Sequence, residues 1–192
     1  MPLQDSSWGD MTITDQEQLE ERMSHPTDAD IAAIRTLEGG WGTRVTLLRL
    51  NYAIDLRYGV LVDIARTVFE RRPVDLRMPL ANVIWQGDAN SVCMRSIDYC
   101  ASPPFVLNLT GPETLSTRWI AEQFAQRFGH VASFTGEASH SALLNNSAKC
   151  HRPFGYPTVT PDEMIDWIAE WIAAGGALSN KPTHFQMRDG RF

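Results

Sequence analysis

The sequence predicts an α/β fold with parallel strand pairing, and three observations carry that expectation. From residue 44 onward, short β-rich apolar runs alternate with amphipathic stretches in the order strand, helix, strand, helix, strand, helix, strand, helix. The helical stretches carry their own start and stop residues, which marks them as separate elements. The length of 192 residues, with 43% apolar and 21% charged residues, suits one globular domain whose core needs no disulfide or metal staple.

Residues 1–43 read as an acidic helical lead and linker. Thr14 followed by Glu17 is a capping box, with Leu19 and Met23 as a thin apolar stripe and Pro26 as the stop. Thr27 and Asp30 open a second helix carrying Ile31, Ile34 and Leu37, which Gly39-Gly40-Trp41-Gly42 ends. The α/β body spans 44–176. Val45 to Asn51 is apolar nearly throughout, as in a strand buried on both faces. A helix follows across Leu61, Ile64, Ala65, Val68 and Phe69 and ends before Pro73, where Arg71-Arg72 answer its dipole. Val83 to Gln86 is a short strand, after which Asp88 is placed to cap a helix with Val92, Cys93, Ile97 and Cys100 on its inner face.

Pro103-Pro104 breaks that helix, and Phe105 to Leu109 is the next strand. Thr114 or Ser116 then caps the clearest amphipathic helix, with Trp119, Ile120, Phe124 and Phe128 inward and Gly129 as its stop. Val131 to Phe134 reads as a further buried strand, and Ser147 to Phe154 as one or two helical turns. Thr160-Pro161-Asp162-Glu163 is a strong helix start, and the helix it opens carries Met164, Ile165, Trp167, Ile168, Trp171 and Ile172 before Gly175-Gly176. The polar tail, 177–192, reads as loop.

Charge narrows the function classes. Residues 1–43 hold nine acids against Arg22 and Arg35, a formal −7, whereas the remainder carries 14 acids and 15 bases. An acidic lead on a nearly neutral body offers no basic stripe for nucleic acid. No apolar run approaches the length that spans a membrane, and no basic-then-apolar signal opens the chain. Three cysteines cannot form a fully paired disulfide framework, so a cytoplasmic setting is expected.

Four pieces then point to a family. Leu47-Leu48-Arg49-Leu50-Asn51-Tyr52 looks like a strand ending in an asparagine. Val83-Ile84-Trp85-Gln86-Gly87-Asp88-Ala89 looks like a strand, aspartate and helix in succession. Phe105 to Glu113, with Ser116 and the helix to Gly129, supplies a strand with Asn108 and a turn with Gly111. Asn146-Ser147-Ala148-Lys149, with Phe154-Gly155-Tyr156-Pro157 and a tryptophan-bearing helix, closes the series. In this order they resemble the carboxyl-terminal half of the NAD-dependent epimerase/dehydratases, the extended short-chain dehydrogenase/reductase family. The resemblance implies a partial Rossmann-type sheet plus the family's substrate-binding subdomain, behind the helical lead. It also implies NAD(P) as the family's cofactor, with transient hydride transfer and return, and Asn51 as a substrate contact. Two departures qualify this. Arg49 stands two residues before Asn51 where the family usually has three, and Leu80-Ala81-Asn82 lacks the arginine that many nucleotide-sugar members place there.

The family's own chemistry needs two motifs. A glycine-rich turn lets pyrophosphate approach backbone N–H groups at a helix N-terminus. Gly39-Gly40-Trp41-Gly42 has neither the spacing nor a following helix, and reads as a stop and linker. A tyrosine with a lysine four positions on supplies the proton acceptor. Tyr52, Tyr58, Tyr99 and Tyr156 are followed at that spacing by Leu56, Val62, Pro103 and Thr160, and the only lysines are Lys149 and Lys181. No catalytic, cofactor or metal residue is therefore assigned, and no NAD(P) is expected on this chain alone.

The expectation is an internally truncated member, the lead joined near Gly39–Gly42 to the second half, and inactive by itself. Strands left without partners would expose apolar edges, so self-association is expected. A separate nucleotide-domain chain, making a split enzyme, and a non-catalytic interaction module are the alternatives. Other candidates have plain readings. Asn51 is either a substrate contact or a strand-end hydrogen-bonding residue, and Asp88 is a cap before it is a site acid. Cys93 and Cys100 are core fillers on one helix face. Cys150-His151 with His140 lacks metal-ligand spacing, and Ser139-His140-Ser141 lacks a nucleophile elbow. Trp167 and Trp171 are core residues first and partner contacts second.

Overall fold

The structure, a computed structural model, describes residues 43–181 together with Thr183 and Phe185. The two expected helices of the lead and the Gly39–Gly42 junction lie outside these residues. The element order is β1 (Thr46–Leu50), β2 (Ala53–Ile54), α1 (Val60–Phe69), β3 (Val74–Asp75), β4 (Leu80–Ala81), β5 (Ile84–Trp85), α2 (Gln86–Arg95), a 3-10 turn (Ser96–Tyr99), β6 (Phe105–Leu109), β7 (Leu115–Ser116), α3 (Thr117–Arg127), β8 (Phe134–Thr135), α4 (Ala148–Phe154) and α5 (Pro161–Ala173). The chain divides into two compact units, one with described residues 43–49 and 96–106, the other with 50–95 and 107 onward.

In the first unit Val45 and Ala101 exchange backbone hydrogen bonds of 3.0 and 3.2 Å, and the Phe105 N–H also reaches the Val45 carbonyl. The Thr46 hydroxyl donates to the Ser96 carbonyl, and Tyr99 stacks on Phe105. β1 is hydrogen-bonded to β6 and, among the described residues, to no other strand. Thr46 to Arg49 are accordingly half-buried and Leu50 is exposed, not enclosed on both faces as the apolar sequence predicts. A strand in a two-stranded ladder gains only part of the cover a central strand has.

The second unit is built on three helices. α1 packs on α3 and α5, and α3 on α5. Leu61, Ile64, Ala65 and Val68 of α1 meet Ile120, Ala121 and Phe124 of α3 and Met164, Ile165, Ile168 and Ile172 of α5, all buried. These are the apolar positions that recur every three or four residues in the sequence. Ser116 caps α3 by accepting the Trp119 N–H, and Gly129 stops it with φ 71°, a left-handed turn. Thr160 and Glu163 form the complete capping box of α5, with Pro161 at its first position. β2 with β5 and β3 with β8 are parallel, as the alternation predicts, whereas β4 with β7 is antiparallel.

Four local expectations are corrected. α2 starts at Gln86, straight out of β5, so Asp88 sits in its first turn instead of at the cap. The Asp88 carboxylate accepts from the Thr158 N–H, the Thr158 hydroxyl and the Val159 N–H, long-range donors that take it away from its own helix. The expected inner face is not the buried one: Ala89 is buried, while Cys93 and Ile97, the latter beyond the end of α2 in the 3-10 turn, are exposed and Cys100 is half-buried. Val131 is 91% exposed and outside any strand; the chain joins a ladder only at β8, after the Gly129 turn. Trp167 is 38% exposed, edge-on to Trp85, and the Trp171 indole N–H donates to the Ala177 carbonyl, so neither is enclosed in the core.

The first residues of the tail are loop, but they are anchored. Ser179 N–H donates to the Arg57 carbonyl, the Thr183 hydroxyl bonds the Asp63 carboxylate on α1, and Phe185 is buried edge-on against Tyr52.

Candidate functional site

A cleft of about 680 Å³ opens in the second unit. Asn82 forms one wall from the link between β4 and β5. Pro112 and Thr114 come from the loop after β6, and Leu144 to Ser147 form the approach to α4. His151 and Arg152 of α4, with Tyr156 just beyond it, complete the lining.

Local sequence explains each wall. Asn82 is buried and ties three segments: its Nδ2 donates to the Glu113 carbonyl at 2.9 Å and lies 3.4 Å from the Thr114 hydroxyl, and its Oδ1 accepts the Asn145 N–H at 3.0 Å. The loop after β6 passes against β5's approach so closely that Gly111 donates its N–H to the Val83 carbonyl at 3.1 Å. A Cβ on Gly111 would stand 2.2 Å from that same oxygen, so only glycine fits. α4 starts where the Asn146 carboxamide accepts the Ala148 N–H, and Asn108 of β6 donates to the Asn146 carbonyl. Cys150 and Phe154, one turn apart, are its buried face. That registry leaves His151 half-buried and Arg152 exposed in the cleft wall.

The lining is polar and lopsided in charge. Arg152 is its one permanent cation and no carboxylate lines it. His151 Nε2 lies 3.2 Å from the Thr110 carbonyl oxygen, which can only accept, so Nε2 carries the hydrogen and Nδ1 is the acceptor in the neutral ring. The Tyr156 ring lies 4.8 Å from the imidazole and is 71% exposed. Cys150 is buried beneath; burial pushes its thiol up, with Arg95 pulling more weakly the other way, which keeps it protonated and inert. Among the described residues no group of three His, Cys, Asp or Glu side chains is placed to hold a metal.

Asn51 lies outside the cleft lining. Its N–H donates to the Leu109 carbonyl at 3.0 Å, the strand-end role, while its side-chain Nδ2 is buried with no hydrogen-bond partner. Thr110, next along β6, likewise has a buried hydroxyl without a partner. Two unsatisfied polar atoms therefore sit at the carboxyl ends of neighbouring strands. Asp88 is committed to Thr158 and Val159 and acts as a structural anchor. Sequence reasoning passed over Asn82 and weighed His151 only as a metal ligand. The available signal was the Asn145-Asn146-Ser147 cluster before a short helix, which marks a side-chain-capped helix start.

No family model matches this sequence, and no curated protein matches it significantly. Solved structures do match. UDP-glucose 4-epimerase from Thermotoga maritima, with UDP-glucose, is 12% identical at a TM-score of 0.61, over 77% of this chain and 52% of that one. UDP-glucose 4-epimerase from Thermus thermophilus, in complex with NAD, is 16% identical at 0.60, over 74% and 50%. RMD from Pseudomonas aeruginosa, complexed with NADPH, is 16% identical at 0.61, over 76% and 54%. The fold of this chain is thus the Rossmann-like fold of NAD-dependent epimerases and related proteins, and it spans about half the length of the structures it matches. No described helix is long and apolar enough to cross a membrane.

Proposed function

We propose that these 192 residues are a substrate-side half of an NAD-dependent epimerase/dehydratase, inactive alone for want of a nucleotide cradle and a tyrosine–lysine pair. The observation that carries this is the fold match of about three quarters of the chain to about half of each epimerase. Family chemistry would draw on NAD(P), but the sequence offers no glycine-rich turn followed by a helix, so no step is assigned to it. Asn51 is the substrate contact in this reading, supported by its unpartnered Nδ2 at a strand end: ligands in open α/β sheets bind beyond the carboxyl ends of strands. An odd number of cysteines supports a cytoplasmic setting.

The half-buried, apolar β1, with one hydrogen-bonded neighbour among the described residues, supports association through its other edge. A second copy is the expected occupant and a nucleotide-domain chain the alternative. Titration calorimetry with NAD+ and light scattering on the recombinant chain test both statements. The expected result is no NAD+ binding at micromolar concentration and a mass above that of one chain. Micromolar NAD+ affinity overturns the missing-cradle reading, and a monomer at high concentration overturns self-association. Activity gained on mixing with a Rossmann-domain protein identifies the split enzyme.

A further inference from the structure

We propose that the cleft beside α4 binds a small hydroxylated anion, with Arg152 taking the anionic group and His151 Nδ1 accepting a hydrogen bond from a ligand hydroxyl. Three observations carry this. The Thr110 carbonyl fixes the Nε2–H tautomer, so Nδ1 is an acceptor that has no partner among the described residues. Arg152, in the same wall, has no ion-pair or hydrogen-bond partner among them either, whereas Arg57, Arg66, Arg72, Arg77 and Arg127 are each paired with a carboxylate. The remaining polar lining is amides and hydroxyls with no acid, which suits a neutral, hydroxyl-bearing body and repels no anion.

The Thr110 bond and the Tyr156 ring hold the imidazole in place, so the acceptor is preorganised rather than found on binding. The anion is a phosphate ester or a carboxylate, the chemistry that a guanidinium meets with two parallel N–H donors. Calling the cleft a substrate site rests on the substrate-side reading above. The binding itself is measured on the chain alone without NAD(P), so its failure and that of the larger reading are separable.

The test uses the full chain, with glucose 1-phosphate and gluconate as probes and glucose and inorganic phosphate as controls. Calorimetry follows affinity, and two-bond nitrogen–proton NMR of the imidazoles follows the tautomer. The expected results are an Nε2–H imidazole at His151, binding of at least one probe that moves the Nδ1 resonance, and weaker binding of both controls. Arg152→Gln should weaken the probe at least tenfold. His151→Gln retains a donor for the Thr110 carbonyl but lacks an acceptor at the Nδ1 position; it should weaken the probe at least fivefold with an unchanged thermal midpoint. Preference for glucose 1-phosphate assigns a phosphate ligand, and preference for gluconate a carboxylate. The proposal is overturned by an Nδ1–H tautomer, by no binding of either probe at millimolar concentration, by controls that bind as well as the probes, or by variants that bind as the parent does.

Discussion

Replacing Asn82 with alanine tests whether one buried carboxamide builds the cleft. The side chain is 3% exposed and satisfies the Asn145 N–H and the Glu113 carbonyl. Glu113 is exposed, so water can replace the lost donor there, whereas Asn145 is half-buried and its N–H has no such easy substitute. The cost therefore falls mainly on one stranded donor plus lost packing, about 1–3 kcal/mol. At this chain length each kcal/mol lowers the thermal midpoint by about 2–4 °C. Urea unfolding should show a lower midpoint with an unchanged slope, and hydrogen exchange should quicken at the Asn145 amide. Asn82→Asp supplies the control. It keeps an acceptor for Asn145 but sets a carboxylate oxygen against the Glu113 carbonyl, so it should lose at least as much despite its near-identical shape. The reasoning fails if the alanine variant stays within about 0.5 kcal/mol of the parent, the usual range of an inconsequential surface change, or if Asn145 exchanges no faster.

Gly111→Ala forces a Cβ to 2.2 Å from the Val83 carbonyl and should cost roughly 2–4 kcal/mol by chemical denaturation; an alanine variant of parental stability refutes the close approach. Phe185→Ala removes a buried ring from Tyr52 and should cost about 3–5 kcal/mol, whereas a merely solvated tail would tolerate it. Asp63 is pushed up, above all by burial, against smaller pulls from Thr183 and Arg66. Its folded form binds the proton more tightly than its unfolded form, so its contribution to stability falls as pH rises through the raised folded value. Asp63→Asn should raise the thermal midpoint at pH 7 and remove that part of the pH slope. Asp55, Asp75 and Glu70 are shifted the other way, first by the side-chain hydrogen bonds of Arg57, Arg77 and Arg66; what they contribute is lost as pH falls through their lowered values. Across the carboxylate range the Asp63→Asn variant should therefore lose stability only as pH falls, and a loss with rising pH over that range as large as the parent's contradicts the assignment.

The elements that sequence alone located are those whose signals are local and redundant. α1, α3 and α5 each combine an apolar stripe with a start or stop residue; α3 and α5 appear within a residue or two of their expected bounds, whereas α1 ends at Phe69, and Arg71, with φ 55°, lies past its end and not in its last turn. β6 and the short α4 were legible for the same reason. The errors fall where a distant group competes with a local preference. Asp88 has the chemistry of a cap, yet donors 70 and 71 residues away claim its carboxylate. Cys93 has a core residue's polarity, yet in a helix that starts three residues before the expected Ala89 it lies on the exposed face.

By itself, the sequence determined the α/β alternation, the apolar faces of α1, α3 and α5 and the lack of a glycine cradle or a tyrosine–lysine couple, because periodicity, caps and motif spacing are properties of neighbouring residues. Only the tertiary structure decided where the cleft lies and which atoms it presents. The imidazole tautomer at His151 is set by a carbonyl 41 residues away, and the wall at Asn82 by partners 31 and 63 residues away. Contacts at such separations leave no periodic trace in the chain, since any residue that completes the hydrogen bond serves equally well wherever it stands in the sequence.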